Sequence, residues 1–299
     1  MFRKNQNTKK AFYPRMGIST FDVELKPMEK QDGEIRIISM DIALKQGNSN
    51  DNTAYICMSL IPTKSEGYHR NILYIQTYNG VNSVVQAKRA KELFYDFQAD
   101  YFVMDMRNAG NSIYDILTMD NIEDDYGGFF PPWIITKHET IDKKVYDDNY
   151  SRALSKENAE AVVYPISATA QFNDEIAKLL RDKLQRRLMS FLISENDADE
   201  FLIKSNKDYL KVADDSDTLS DRVLYLAPYA QTTALINECV TLNMKVNSGL
   251  LKLEEMSGRR KDRFSSLAYA NYFASLLDKN IMMQTSESNF DDLLQLIYF

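Results

Sequence analysis

Three aspartates stand where this sequence could do chemistry. Asp41 interrupts the apolar, β-branched run Glu34-Ile-Arg-Ile-Ile-Ser-Met-Asp-Ile-Ala43. A carboxylate buried there without a partner would be costly or would take up a proton, so its position needs a reason. Asp105 closes a second apolar run, Ala99-Asp-Tyr-Phe-Val-Met-Asp105. Asp262 opens a late helical segment in which Ser265, Ser266 and Tyr269 share its face. Two small serines beside a carboxylate leave space for an ion and its waters, and a helix start favours the ionised acid. The same aspartate would also serve as a simple helix cap. Close carboxylates repel, and divalent cations relieve that repulsion. Mg²⁺ and Mn²⁺ prefer oxygen ligands, and a pair about 3.5–4 Å apart can activate water and stabilise a leaving oxygen in phosphodiester cleavage. That chemistry needs no histidine, and the chain has only His69 and His138.

The elements that must position these acids follow from periodicity. The run around Asp41 has little polarity on either face, as a central strand requires. Thr53 to Ile61 and Asn71 to Tyr78 are two further strands, and the short connections predict an antiparallel meander. From Ser83 to Phe97 the apolar residues Val84, Val85, Ala87, Ala90, Leu93, Phe94 and Phe97 recur at helical spacing. The strand ending at Asp105 follows that helix, so the crossover predicts that it lies parallel to its partner. Ligands collect beyond the carboxyl ends of parallel strands. If the first and fourth strands are neighbours, Asp41 and Asp105 face each other there.

Beyond Asp105 the pattern predicts strands at Trp133 to Thr136 and Ala161 to Ile166, with a polar, irregular stretch from Lys137 to Asn158 between them. Helices are expected from Thr169 to Ile193, Arg222 to Val246 and Asp262 to Leu277, with an edge strand at Gly249 to Leu253. The expected class is α/β, a mixed sheet with helices on both faces. Residues 1–30 read as a basic arm or linker, 31–280 as the domain, and 281–299 as a tail bearing Phe290, Leu293, Leu294, Ile297, Tyr298 and Phe299.

Composition sets limits. The chain has 299 residues and a net charge of -7 from 36 basic and 43 acidic residues, which argues against a protein that simply coats DNA. It does not argue against an enzyme that touches DNA locally. Cys57 and Cys239 are too few for a disulfide framework and fit a reducing compartment; with two histidines they exclude the usual zinc site. No apolar run approaches the roughly 18 residues a membrane span needs, and Met1 to Arg15 lacks the apolar stretch of a signal peptide. A cytoplasmic protein is expected.

The ordered set Ile38-Ser-Met-Asp-Ile-Ala43, Tyr101-Phe-Val-Met-Asp105 and Arg260-Lys-Asp-Arg-Phe-Ser-Ser-Leu-Ala-Tyr-Ala270 resembles the C-terminal nuclease domain of tailed-phage large terminase subunits. Phe12-Tyr-Pro-Arg15 and Tyr164-Pro-Ile166, which precedes the helix carrying Asn173 and Arg181, extend the likeness. The resemblance implies a ribonuclease-H-like fold and a metal-dependent endonuclease that cuts concatemeric double-stranded viral DNA during packaging, in the host cytoplasm. It implies that Asp41, Asp105 and Asp262 bind two Mg²⁺ or Mn²⁺ ions, with Asp51, at the start of the second strand, a weaker fourth candidate whose alternative is an exposed turn residue. Its implied partners are the terminase ATPase motor, the small terminase subunit and the portal.

Some members of that family carry another ligand-like residue just before the third acid, where this chain has Arg259-Arg-Lys261. Complete large subunits also have an ATPase domain with G-x-x-x-x-G-K-[ST], and no such run occurs here. An excised domain or a split-gene product, without ATPase activity, is therefore expected.

Arg259, Arg260, Lys261 and Arg263 flank Asp262, and are the cations expected on DNA phosphates. Lys88-Arg89-Lys91 and Arg181-Lys183-Arg186-Arg187 read as solvated helix faces, while acids at Asp120 to Asp125 and Asp214 to Asp221 should lie away from a DNA cleft. Two other readings are an actin-like ATPase and a non-catalytic scaffold. The first needs glycine-rich phosphate loops, which Asp41-Ile-Ala43 does not supply in a chain with only ten glycines.

Overall fold

The computed structural model describes residues 1–17, 28–43, 52–214, 219–256 and 260–297, with the side chains of 211–220 and 282–297 set aside. Ten strands and eight α-helices are described. The strands are β1 (Gln6–Thr8), β2 (Ile35–Asp41), β3 (Thr53–Pro62), β4 (Tyr68–Tyr78), β5 (Tyr101–Asp105), β6 (Trp133–Ile135), β7 (Glu160–Ile166), β8 (Met189–Leu192), β9 (Asn243–Asn247) and β10 (Leu250–Glu254). The helices are α1 (Ser83–Phe97), α2 (Ala109–Leu117), α3 (Lys143–Arg152), α4 (Ala170–Gln185), α5 (Glu195–Ser205), α6 (Lys207–Asp214), α7 (Leu219–Thr241) and α8 (Asp262–Ile297).

Eight strands form one sheet in the order β1-β8-β4-β3-β2-β5-β7-β6. The predicted meander is present, β2 with β3 and β3 with β4 antiparallel. Likewise β5 is parallel to β2, and β7 and β6 continue the parallel half.

Period-two alternation assigns each strand residue to a face. Ile37 of β2 and Val103 of β5 join one core with Leu180 and Leu184 of α4 and Leu267 and Phe273 of α8. Ile38 and Met40 of β2, with Phe102 and Met104 of β5, join the opposite core with Ala87, Leu93 and Phe97 of α1 and Ile113 of α2. Ser39, on the α8 side, donates its hydroxyl to the Ser266 carbonyl at 2.7 Å and meets the Ser266 hydroxyl at 2.9 Å. The next residues on that face are Asp41 and Asp105.

Several expectations change. The helix expected to run to Ile193 ends at Gln185; Arg187 turns with φ +57°, and Met189–Leu192 becomes β8, parallel to β4 and β1. An apolar run after a helical pattern cannot be divided by periodicity alone. The helix expected to reach Val246 stops at Thr241, and β9 pairs with β10 as a separate hairpin, so β10 is not an edge of the main sheet. The polar stretch after Lys137 contains α3, none of whose residues is buried. The basic N-terminal segment packs on the domain over 1–17: β1 joins the sheet, and Asn5, Ala11 and Phe12 are buried. The first two basic groups are not simply solvated faces: Arg89, Lys91 and Lys183 are buried. The last helix continues past Leu277 to Ile297. The tail side chains singled out from the sequence, Phe290 to Phe299, lie outside the described residues. Among the described residues, no helix is long and apolar enough to cross a membrane.

Candidate functional site

β2 and β5 bring the first two acids together. Their parallel register ends with Met40 opposite Met104, so Asp41 and Asp105 are the next neighbours, both on the α8 side. The exit of β2 is pinned: Thr53 Oγ1 accepts from the Ala43 amide and donates to the Ala43 carbonyl, and the buried Gln86 donates to that same carbonyl at 2.9 Å.

The exit of β5 is set by a close approach. A Cβ on Gly110, in the first turn of α2, would lie 1.8 Å from the Asp105 carbonyl oxygen. Only glycine lets α2 start so near the strand end. Between them Asn108 has φ +47° and ψ −109°, and the Gly110 amide donates to the Arg107 carbonyl at 2.9 Å, which closes a tight turn.

α8 supplies the third acid. Asp262 is buried, and its Oδ2 accepts from the Asn52 amide at 2.8 Å. Asp41, Asp105 and Asp262 all line one cavity of about 580 Å³, with Asn173 of α4 and Tyr269 of α8. The hairpin closes one wall through Asn247, Ser248 and Leu250 to Leu253. Asp174 of α4 ties that wall down, accepting from the Leu251 amide at 2.9 Å and pairing with Lys178 at 2.7 Å. Tyr269 sits where it feels both strand acids: burial first, then the charges of Asp41 and Asp105, push its hydroxyl well above the ordinary tyrosine range.

Asp105 has a partner that the sequence reading missed. Arg107 Nε stands 3.1 Å from Oδ1 and 3.2 Å from Oδ2, Nη2 is 2.9 Å from Oδ2, and the Arg107 amide donates to Oδ1 at 3.1 Å. The signal was present as Asp-Met-Arg, since a continuation of the strand puts residues i and i+2 on one face. Among the described residues, no group of three His, Cys, Asp or Glu side chains converges closely enough to hold a metal ion.

The two serines of α8 part company. Ser265 lines the cavity, whereas Ser266 is buried against Ser39 and positions the helix rather than opening space. The cations near Asp262 also divide. Lys261 lines the cavity and pairs with Glu255 at 3.1 Å. Arg263 turns to α7, where it pairs with Glu238 and donates to Gln231 at 2.9 Å. Burial raises the Glu238 pKa against the opposing pull of Arg263. Asp51 and Arg259 lie outside the described residues. Asp120 to Asp125 do not line the cavity, and Asp125 pairs with Lys88 at 3.1 Å.

A mixed sheet, helices on both faces and acids at the carboxyl ends of neighbouring parallel strands define a ribonuclease-H-like α/β domain. The family model of the terminase RNaseH-like domain matches residues 38–126, which include Asp41 and Asp105. The sequence resemblance to terminase nuclease domains is thereby upheld.

Solved structures give distant likenesses. The large terminase nuclease from thermophilic phage G20c, with bound magnesium, matches at 13% identity and a TM-score of 0.45, over 81% of this chain and 82% of that one. The nuclease domain of the large terminase subunit gp2 of bacterial virus Sf6 matches at 11% identity and a TM-score of 0.39, over 80% and 87%. No curated protein matches the chain.

Proposed function

We propose that this chain is a divalent-metal-dependent DNA endonuclease, the nuclease domain of a phage packaging terminase, which hydrolyses phosphodiester bonds of concatemeric double-stranded DNA. The observation that carries the reading is the pair Asp41 and Asp105, on one face of adjacent parallel strands, in a cleft that also receives Asp262. The donor set fits a hard cation: the acids lining the cleft are carboxylates, and neither histidine nor cysteine joins them.

Asp41, Asp105 and Asp262 would hold two Mg²⁺ or Mn²⁺ ions, which when bound supply an acidified water and charge neutralisation at the phosphate. The protein's own groups do the rest. The Asn52 amide orients Asp262 through Oδ2. The pinned ends of β2 and β5 keep Asp41 and Asp105 adjacent without reorganisation. Tyr269 keeps its proton, because burial and two nearby acids raise its pKa, and so can donate a hydrogen bond in the cleft. Lys261 at the cleft wall, with Arg260 preceding it, attracts the DNA backbone. Arg263 acts as a clamp between α7 and α8 in this reading. The motor, small subunit and portal remain the partners proposed for it.

The test is a plasmid digest in Mn²⁺ or Mg²⁺ comparing the parent with Asp105→Asn. Cleavage by the parent and its loss in the variant are expected. A parent that never cuts, or a variant that cuts as well, would sink the assignment.

A further inference from the structure

We propose that Arg107 is a latch on this cleft: its guanidinium occupies Asp105 in place of a divalent cation, and turns to a DNA phosphate when metal takes the carboxylate. The inference rests on the nuclease reading above and concerns how that same site is regulated.

The geometry of the pair is the first reason. Arg107 engages both carboxylate oxygens of Asp105 through Nε and Nη2, so its guanidinium and an incoming ion compete for the same negative charge. Orientation is the second. Asp41, Asp105 and Asp262 share one cleft, and the Asp105 carboxylate in it is turned to Arg107.

Ease of release is the third. The Arg107 side chain is 45% exposed, whereas Arg70 and Lys183 in their pairs with Asp278 are 0% and 10% exposed. An exposed ion pair is weakly held because water replaces either partner at little cost. A small dication competes well against a diffuse guanidinium for a carboxylate pair.

Place is the fourth. Arg107 lines the acid cleft and also a neighbouring cavity of about 540 Å³ formed around Tyr164, Ser167 and Phe172. A released guanidinium therefore stands on the divide between two open clefts, with a planar donor fork shaped for phosphate oxygens.

Two measurements on the intact chain test this, calorimetric titration with Mn²⁺ in the absence of DNA and duplex binding in Ca²⁺. Because Arg107 and the ion compete for one carboxylate, Arg107→Gln should bind Mn²⁺ about tenfold more tightly than the parent. The same variant should bind duplex DNA about tenfold more weakly, having lost a phosphate donor. Arg107→Lys, which keeps the charge but loses the fork, should fall between the two on metal affinity and fold even if the glutamine variant does not.

A merely structural arginine would give the opposite pattern, with weaker metal binding and a lower melting temperature. If the parent binds Mn²⁺ and cuts DNA, but neither variant changes metal affinity, the latch alone is overturned. If the parent neither binds Mn²⁺ nor cuts, the nuclease reading falls and the latch with it.

Discussion

Helix α8 carries an acid at each of two charged sites, and the sites are built oppositely. Asp262, at its first residue, faces the open cleft at the carboxyl ends of β2 and β5. Asp278, further along, lies at the other end of the sheet and is enclosed. Its Oδ2 is 2.6 Å from Arg70 Nη2 and 2.9 Å from Lys183 Nζ, and its Oδ1 accepts from the Tyr68 amide at 2.8 Å. Gly67 makes room, since a Cβ there would fall 2.4 Å from that oxygen. Buried charges survive when every partner is fixed. Asp105 in the cleft is arranged differently, because the arginine that holds it is itself exposed. The enclosed charge is locked among buried partners, and the cleft charge is paired by an exposed one.

The largest expected effect tests that contrast by stability. Asp278→Ala strands Arg70 and Lys183 in the interior and should cost about 3–5 kcal/mol. Asp105→Asn removes an acid whose partner can turn to water, and should change stability by less than about 1 kcal/mol. Chemical denaturation of both variants checks the pair; equal losses would erase the distinction.

A smaller effect concerns Lys91, a buried cation with no acid bonded to it among the described residues. Its Nζ donates to the Pro131 carbonyl and lies 4.8 Å from the Trp133 ring centroid. Burial lowers its pKa from 10.5 to about 7, against the opposing charge of Glu160. Below about pH 7 it is charged folded and unfolded, and the full burial penalty applies. Between the two values the unfolded chain holds the extra proton, so stability should rise with pH by up to ~1.4 kcal/mol per unit. Lys91→Met should flatten that rise, as denaturant titrations from pH 7 to 10 would reveal. An unchanged slope would place the proton elsewhere.

The smallest effect is Ser266→Ala. It removes the hydroxyl that meets Ser39, but Ser39 still donates to the Ser266 carbonyl. A loss of about 1 kcal/mol in denaturant unfolding is expected, with plasmid cleavage retained. Lost cleavage at unchanged stability would show that α8 needs this contact to aim Asp262.

Much of the fold was legible because its signals are local. The meander, the α1 crossover and a parallel β5 follow from periods of two and 3.6, whereas β2 as the partner of β5 came from the structure. β8 and β9 were not legible. Each is a short strand directly after a helix; the partners of β8, β4 and β1, lie far away in sequence, while β9 is exposed throughout and shows no buried alternation. At the site, the three aspartates were visible because a carboxylate among isoleucines, at a strand end or at a helix start is conspicuous. Arg107 carries no signal beyond its spacing from Asp105, and Arg263 is indistinguishable from Lys261 in a basic run.

The sequence by itself therefore determined the acids, their order along the chain and the strands and helix that carry them, since composition and periodicity act over a few residues. Only the tertiary structure decided that Asp41 and Asp105 share a face and that a hairpin walls their cleft. It alone turned Arg263 to Glu238 and closed Arg107 on Asp105. Those outcomes depend on strand register, on a glycine-tight turn and on which opposite charge comes within a few ångströms, and each is settled by packing between segments distant in the chain.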